Sequence, residues 1–207
     1  MSQPKRAQVP ASKGVLAEKS GLRVRDRIMR AASDLFYARG IHAVGVDAIV
    51  SEAGTNKMSF YRSFASKDEL VAEYLRTEER EGWHCWDETV AKYAGNPRAQ
   101  VEALFDVLAT NIDPKGARGC PLANAAVEIT APDHPGRPII EQYKAGMRRR
   151  FRELAREMGS RDADSLGDAL LLLWEGSYLT RLTLGQQGPV QDAGKAARAL
   201  IAAYTDS

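Results

Sequence analysis

The stretch AGTNKMSFYRSFASKDEL, residues 53 to 70, closes one helical pattern, breaks at Gly54-Thr55-Asn56, and resumes with polar and basic residues set around two phenylalanines. Gly54 tolerates the left-handed backbone that ends a helix, and Asn56 is a residue type that caps the next one. So brief a pause turns the chain without ending its regular structure. Phe60 and Phe64, four apart, lie on one side of the resumed helix, which leaves Lys57, Met58, Ser59, Tyr61 and Arg62 for the other. Two short helices joined by a tight Gly-containing turn describe a helix-turn-helix, and a DNA major groove about 12 Å wide admits one such helix.

On the N-terminal side, Val24, Ile28, Ala31 and Leu35 recur at steps of four, three and four, which predicts a first helix ended by Gly40. Val46, Ile49, Val50 and Ala53 repeat that spacing over a shorter second helix. On the C-terminal side, Ser66 followed by Glu69 is a capping-box signature that opens a long helix through Leu70, Tyr74 and Leu75, broken at Asn96-Pro97. Val101 to Leu108, a small-residue segment LANAAVEI, Ile140 to Met158, an almost wholly apolar run after Asp162, and Ala193 to Tyr204 supply the remaining helices. The expectation is an all-α chain of about nine helices with no strand and no internal repeat.

Net charge is only +2, but it is unevenly spread. Residues 1–64 carry 11 Lys+Arg against 5 Asp+Glu, and the remainder 18 against 22, so a polyanion partner is expected for the first segment alone. Residues 1–21 lack periodic hydrophobics and read as a disordered basic arm, whose Lys5, Arg6, Lys13 and Lys19 either follow a minor groove or form a solvated tail. The longest apolar run, Ala169 to Trp174, is too short to span a bilayer, and the N-terminus has no secretory signal. Two cysteines, Cys85 and Cys120, in a chain with ample hydrophobic residue predict a reduced, cytoplasmic protein.

From about Val24 to Leu70 the chain resembles the TetR/AcrR family of transcriptional regulators. The string VDAIVSEAGTNKMSFYRSFASKDEL carries the likeness: the apolar pattern of helix two, the Ala-Gly turn, a Tyr beside a core apolar residue, a Phe three later, and the Ser-Lys-Asp-Glu-Leu entry to helix four. It departs at Gly45, which offers no side-chain cap to helix two, and at Met58, where a small residue is common. The resemblance and the exposed-face argument together assign Thr55, Asn56, Tyr61 and Lys67 to phosphate positioning, and Lys57, Met58, Ser59 and Arg62 to base edges. The expected partner is double-stranded DNA with a palindromic operator, read by a homodimer.

The likeness divides the chain into the arm, a DNA-binding domain at 22–66, and a helical ligand-binding and dimerisation domain at 67–207. The last two helices, apolar on more than one face, are expected to pair with their copies. Helix four, joining reader to core, is the expected lever for a small-molecule effector. Candidate pocket residues on the converging helices are Trp83, Trp86, Phe105, Asn124, Glu128, Met147, Phe151, Trp174 and Tyr178. The triple Arg148-Arg149-Arg150 reads as a solvated face. His84-Cys85 lacks the spaced partners of a zinc site, so no metal and no cofactor are expected.

Two rival classes stand beside the regulator. A basic helical front also suits a non-specific architectural nucleic-acid binder. A helical enzyme finds less support, because no phosphate loop, nucleophile elbow, HExxH or Cys-x-x-Cys is present, and His42, His84 and His134 stand apart from any triad.

Overall fold

The structure, a computed structural model, describes residues 23–110, 118–185 and 188–205. The basic arm and most of the Gly- and Pro-containing loop after Thr110 lie outside the described residues. Among those described, nine α-helices and one short 3-10 helix occur, with no strand. They form two compact units that part between Leu70 and Val71.

The first unit holds α1 (Val24–Arg39), α2 (Val46–Glu52), α3 (Lys57–Ser63) and the first turn of α4 (Lys67–Ala91). Ile28, Ala32, Phe36, Ile49 and Phe60 are buried at its centre. The turn after α2 satisfies the helix's last carbonyls in a defined pattern: the Gly54 N–H donates to Ser51 O at 3.2 Å and the Thr55 N–H to Val50 O at 2.9 Å. That pattern requires Gly54 at φ +60°, where a side chain would be strained. Asn56 then caps α3, its Oδ1 accepting the Ser59 N–H at 2.9 Å. Gly45 indeed provides no side-chain cap to α2. At the start of α4, Ser66 Oγ accepts the Glu69 N–H at 3.0 Å, while Glu69 Oε2 accepts from Ala65 N at 2.6 Å, one residue earlier than a standard capping box.

The second unit is built from the rest of α4 with α5 (Pro97–Thr110), α6 (Pro121–Glu128), α7 (Arg137–Glu157), α8 (Ala163–Leu184), the 3-10 turn Pro189–Asp192 and α9 (Ala193–Thr205). Asn96 and Asp162 cap α5 and α8 through Ala99 N and Ser165 N, each at 3.0 Å. Its core is aromatic: Trp86, Phe105, Phe151 and Trp174 meet with ring centroids 4.9 to 6.3 Å apart, mostly edge to face.

The α7–α8 pair is locked twice. Gly167 lets the α8 backbone press on α7, since a Cβ there would lie 2.6 Å from Arg152 Cα and 2.7 Å from its N. Beside that contact, Arg148 and Arg152 both bind Asp168 at 2.6 to 2.8 Å, and Arg152 and Arg156 reach Asp164 at 2.8 and 2.7 Å. The two guanidiniums hold the Asp168 carboxyl well below the usual carboxylate range. The arginine triple is therefore more than a solvated face: Arg148 is tied to Asp168, and Arg150 pairs with Asp87 while stacking over Trp83. Neither backbone can yield to a methyl group without repacking, so Gly167→Ala should destabilise the protein by about 1 to 3 kcal/mol, read from the midpoint of denaturant unfolding.

Candidate functional site

In α3 the side chains divide as their spacing demands. Phe60 is fully buried, its ring centroid 6.0 Å from that of Phe64, and Arg25 lies over the Phe64 ring at 4.7 Å. On the opposite side Met58 is 66 % and Tyr61 57 % exposed, with Asn56, Lys57 and Arg62 also exposed and Thr55 and Ser59 half-buried. Arg62 Nη2 lies 3.5 Å from Met58 Sδ, the i, i+4 neighbour on the exposed face. Large apolar side chains left in water next to cations on a short, rigidly capped helix form a surface shaped for contact.

Three interactions around this face were not legible in the sequence. Arg27 of α1 donates from Nε to Ala53 O at 3.1 Å and from Nη2 to Gly54 O at 3.4 Å, clasping the end of α2 where the chain turns. Asp47 of α2 holds the Lys57 ammonium at 2.8 Å and raises its pKa by a hydrogen bond and its charge. Lys67 donates to Ile41 O at 2.7 Å, so the side chain assigned to phosphate also ties α4 to the loop after α1.

In the second unit, a cavity of about 110 Å³ lies within the aromatic core. Of the nine residues named from sequence, Trp86, Trp174 and Tyr178 line it. Phe105, Met147 and Phe151 are fully buried and do not line it. Trp83 is half-buried, 4.7 Å from the Tyr143 ring and 4.1 Å beneath the Arg150 guanidinium. Asn124 donates to Arg118 O at 2.6 Å, and Glu128 is half-buried at the end of α6; neither reaches the cavity wall.

Tyr143, Thr89 and Arg181 line the cavity without having been singled out. Arg181 is buried and donates to the carbonyls of Leu108 and Ala109 at the end of α5, a destination set 72 residues away in sequence. A separate open groove of about 330 Å³ runs along α8, the 3-10 turn and α9, beside Leu172 (73 % exposed) and Leu179 (63 %).

Among the described residues no group of three or more His, Cys, Asp or Glu could hold a metal ion, and no helix is long and apolar enough to cross a membrane. Cys85 and Cys120 are not in a disulfide, and Lys144 Nζ lies 3.6 Å from Cys120 Sγ and 2.6 Å from Glu175 Oε1.

Residues 28–74, spanning this helix-turn-helix, match the family model for bacterial regulatory proteins of the tetR family. An HTH-type transcriptional regulator of Bacillus subtilis, YxaF, is 25 % identical over 170 residues, 80 % of this chain and 88 % of that one. The HTH-type transcriptional activator FasR of Mycolicibacterium smegmatis is 37 % identical over 90 residues, 41 % of this chain and 40 % of its own. The crystal structure of SCO4454, a TetR-family transcriptional regulator from Streptomyces coelicolor, superposes with a TM-score of 0.81 at 26 % identity, covering 88 % of this chain and 96 % of that one. Residues 28–74 thus carry the DNA-binding domain of the tetR family, and the chain is a sequence-specific DNA-binding transcriptional regulator similar to TetR-family proteins.

Proposed function

We propose that the protein is a homodimeric, cytoplasmic repressor that reads a palindromic operator through α3 and leaves it when a small apolar or amphipathic effector occupies the second unit. The observation that carries this reading is the division of α3, with Phe60 fully buried and Lys57, Met58, Tyr61 and Arg62 in solvent. Lys57 and Arg62 suit guanine acceptors, Met58 a thymine methyl, and Ser59 either kind of base edge. Thr55, Asn56, Tyr61 and Lys67 suit phosphates and fix register. An ammonium has three donors, so Lys67 can hold Ile41 O and a phosphate together.

Pairing of two copies through α8 and α9 is supported by the leucines left exposed there and the groove beside them. A two-fold axis brings two short readers to half-sites about 34 Å apart, which a monomer cannot span. Release by an effector is supported by the cavity and by α4, which carries both Lys67 and the cavity residues Trp86 and Thr89. An effector acts by binding one arrangement of the dimer better than the other. Repression is the direction the family likeness implies.

Selection of bound fragments from a random DNA pool tests the central reading: an enriched palindrome preferred by about 10³ or more over bulk DNA is expected, and no preference would indicate an architectural binder. On the selected operator, Lys57→Ala and Arg62→Ala should each weaken binding by about 1 to 3 kcal/mol in a fluorescence titration. Asp47→Asn frees a lysine from an exposed, weakly stabilising ion pair and removes a carboxylate beside the proposed phosphate contacts. It should therefore strengthen binding to bulk DNA more than to operator, narrowing the ratio between them. Leu172→Glu together with Leu179→Glu should convert the dimer to a monomer in sedimentation and abolish tight operator binding.

A further inference from the structure

The cavity of the second unit has a specific chemistry. Among the described residues its walls are the rings of Trp86 and Trp174 with Leu104, Val107 and Leu108, and no carboxylate lines it. The one cation among those described residues, Arg181, is directed at the last carbonyls of α5, whose partial negative charge answers it. Thr89 donates its hydroxyl hydrogen to Cys85 O at 2.7 Å. The two tyrosines differ from these. Tyr143 is 8 % exposed and Tyr178 half-buried, yet neither hydroxyl forms a hydrogen bond with the described residues. Among the described residues only Ser160 Oγ is a fully buried side-chain polar atom without a partner, so both phenol oxygens keep some accessible surface, and both tyrosines line the cavity, where an acceptor can reach them.

The Tyr143 hydroxyl is held by its surroundings. Its ring stacks at 4.7 Å on Trp83, and its oxygen comes so close to α4 that a Cβ on Gly82, itself part of the cavity wall, would lie 2.4 Å away. Burial raises the pKa of both tyrosines, so both stay protonated and offer an O–H donor at neutral pH.

The geometry points to a small neutral ligand with one aromatic ring and a hydrogen-bond-accepting oxygen, its ring against Trp86 and Trp174 and its oxygen taken by the Tyr143 hydroxyl. This rests on reading the cavity as the effector site. A volume of about 110 Å³ suits a single substituted ring, on the scale of the roughly 150 Å³ engineered cavity that takes up benzene, and is too small for a fused polycycle. A carboxylate-bearing ligand is disfavoured, since desolvating its charge would require a cation not already engaged by a helix end.

Titration of the full-length protein without DNA, by calorimetry with acetophenone, toluene and benzoate, tests the assignment. All three tryptophans, Trp83, Trp86 and Trp174, belong to this cluster, so intrinsic fluorescence reports occupancy independently. Acetophenone should bind several-fold more tightly than toluene, with benzoate weakest. Tyr143→Phe keeps the ring and should weaken acetophenone about three- to tenfold, the range of one neutral hydrogen bond, while leaving toluene unchanged. Equal affinity for acetophenone and toluene, tighter benzoate, no binding of any probe, or indifference of acetophenone to Tyr143→Phe would each overturn the inference. Operator affinity measured on the same protein separates the two levels. A protein that binds operator but no probe overturns the ligand class alone. One that binds acetophenone as described, with operator affinity unmoved, supports the ligand class and overturns the effector role.

Discussion

The short turn between α2 and α3 is the constraint on which the reading face depends. A seven-residue helix is too short to be stable or directed by itself, so α3 holds its direction only because both its ends and one face are fixed from outside. Gly54 and Thr55 close α2, Arg27 clasps the Ala53 and Gly54 carbonyls from α1, Asn56 opens α3, and Phe60 and Phe64 anchor it from beneath. Each contact is modest, about 1 kcal/mol or less for a cap or a neutral hydrogen bond. Together they leave the outward side chains free to be chosen for contact, since none of Met58, Tyr61 or Arg62 is needed to hold the helix.

Charge around that face is arranged with some economy. A lysine at the first position of a helix is unfavourable against the positive end of the helix dipole, and Asp47 compensates by standing 2.8 Å from the Lys57 ammonium. Under the proposed mode of DNA contact, the same pair would keep a basic surface from meeting every polyanion equally, because a carboxylate near phosphates penalises contact that base recognition does not reward. On that proposal discrimination would involve α2 as well as α3, although only α3 presents the candidate base-reading residues.

The second unit follows a different logic, in which one glycine and a ladder of ion pairs bring α7 and α8 together and leave an aromatic core with a small void. Interiors are normally close-packed, so a cavity flanked by two indoles and two phenols, whose hydroxyls form no hydrogen bond with the described residues, is a departure with a chemical character. Here the residues that a sequence reader singles out as bulky and aromatic separate into two roles. Phe105, Met147 and Phe151 fill the core, whereas Trp86, Trp174 and Tyr178 face the void. Periodicity marks all six as inward-facing and cannot distinguish core from wall, since both lie on the same helix faces.

The sequence by itself determined the elements and the exposed face of α3, because caps, glycine stops and the i, i+4 spacing of Phe60 and Phe64 act within a few residues of chain. The nine α-helices among the described residues, the helix-turn-helix and the exposed set on α3 all follow from such local rules. What only the tertiary structure decided are the contacts between residues far apart in the chain: Arg27 on Ala53 and Gly54, Lys67 on Ile41, Arg181 on the end of α5, and Tyr143 against Gly82. A side chain's type constrains what it can bond, but its partner is set by where packing brings a distant backbone, and no pattern of spacing encodes that.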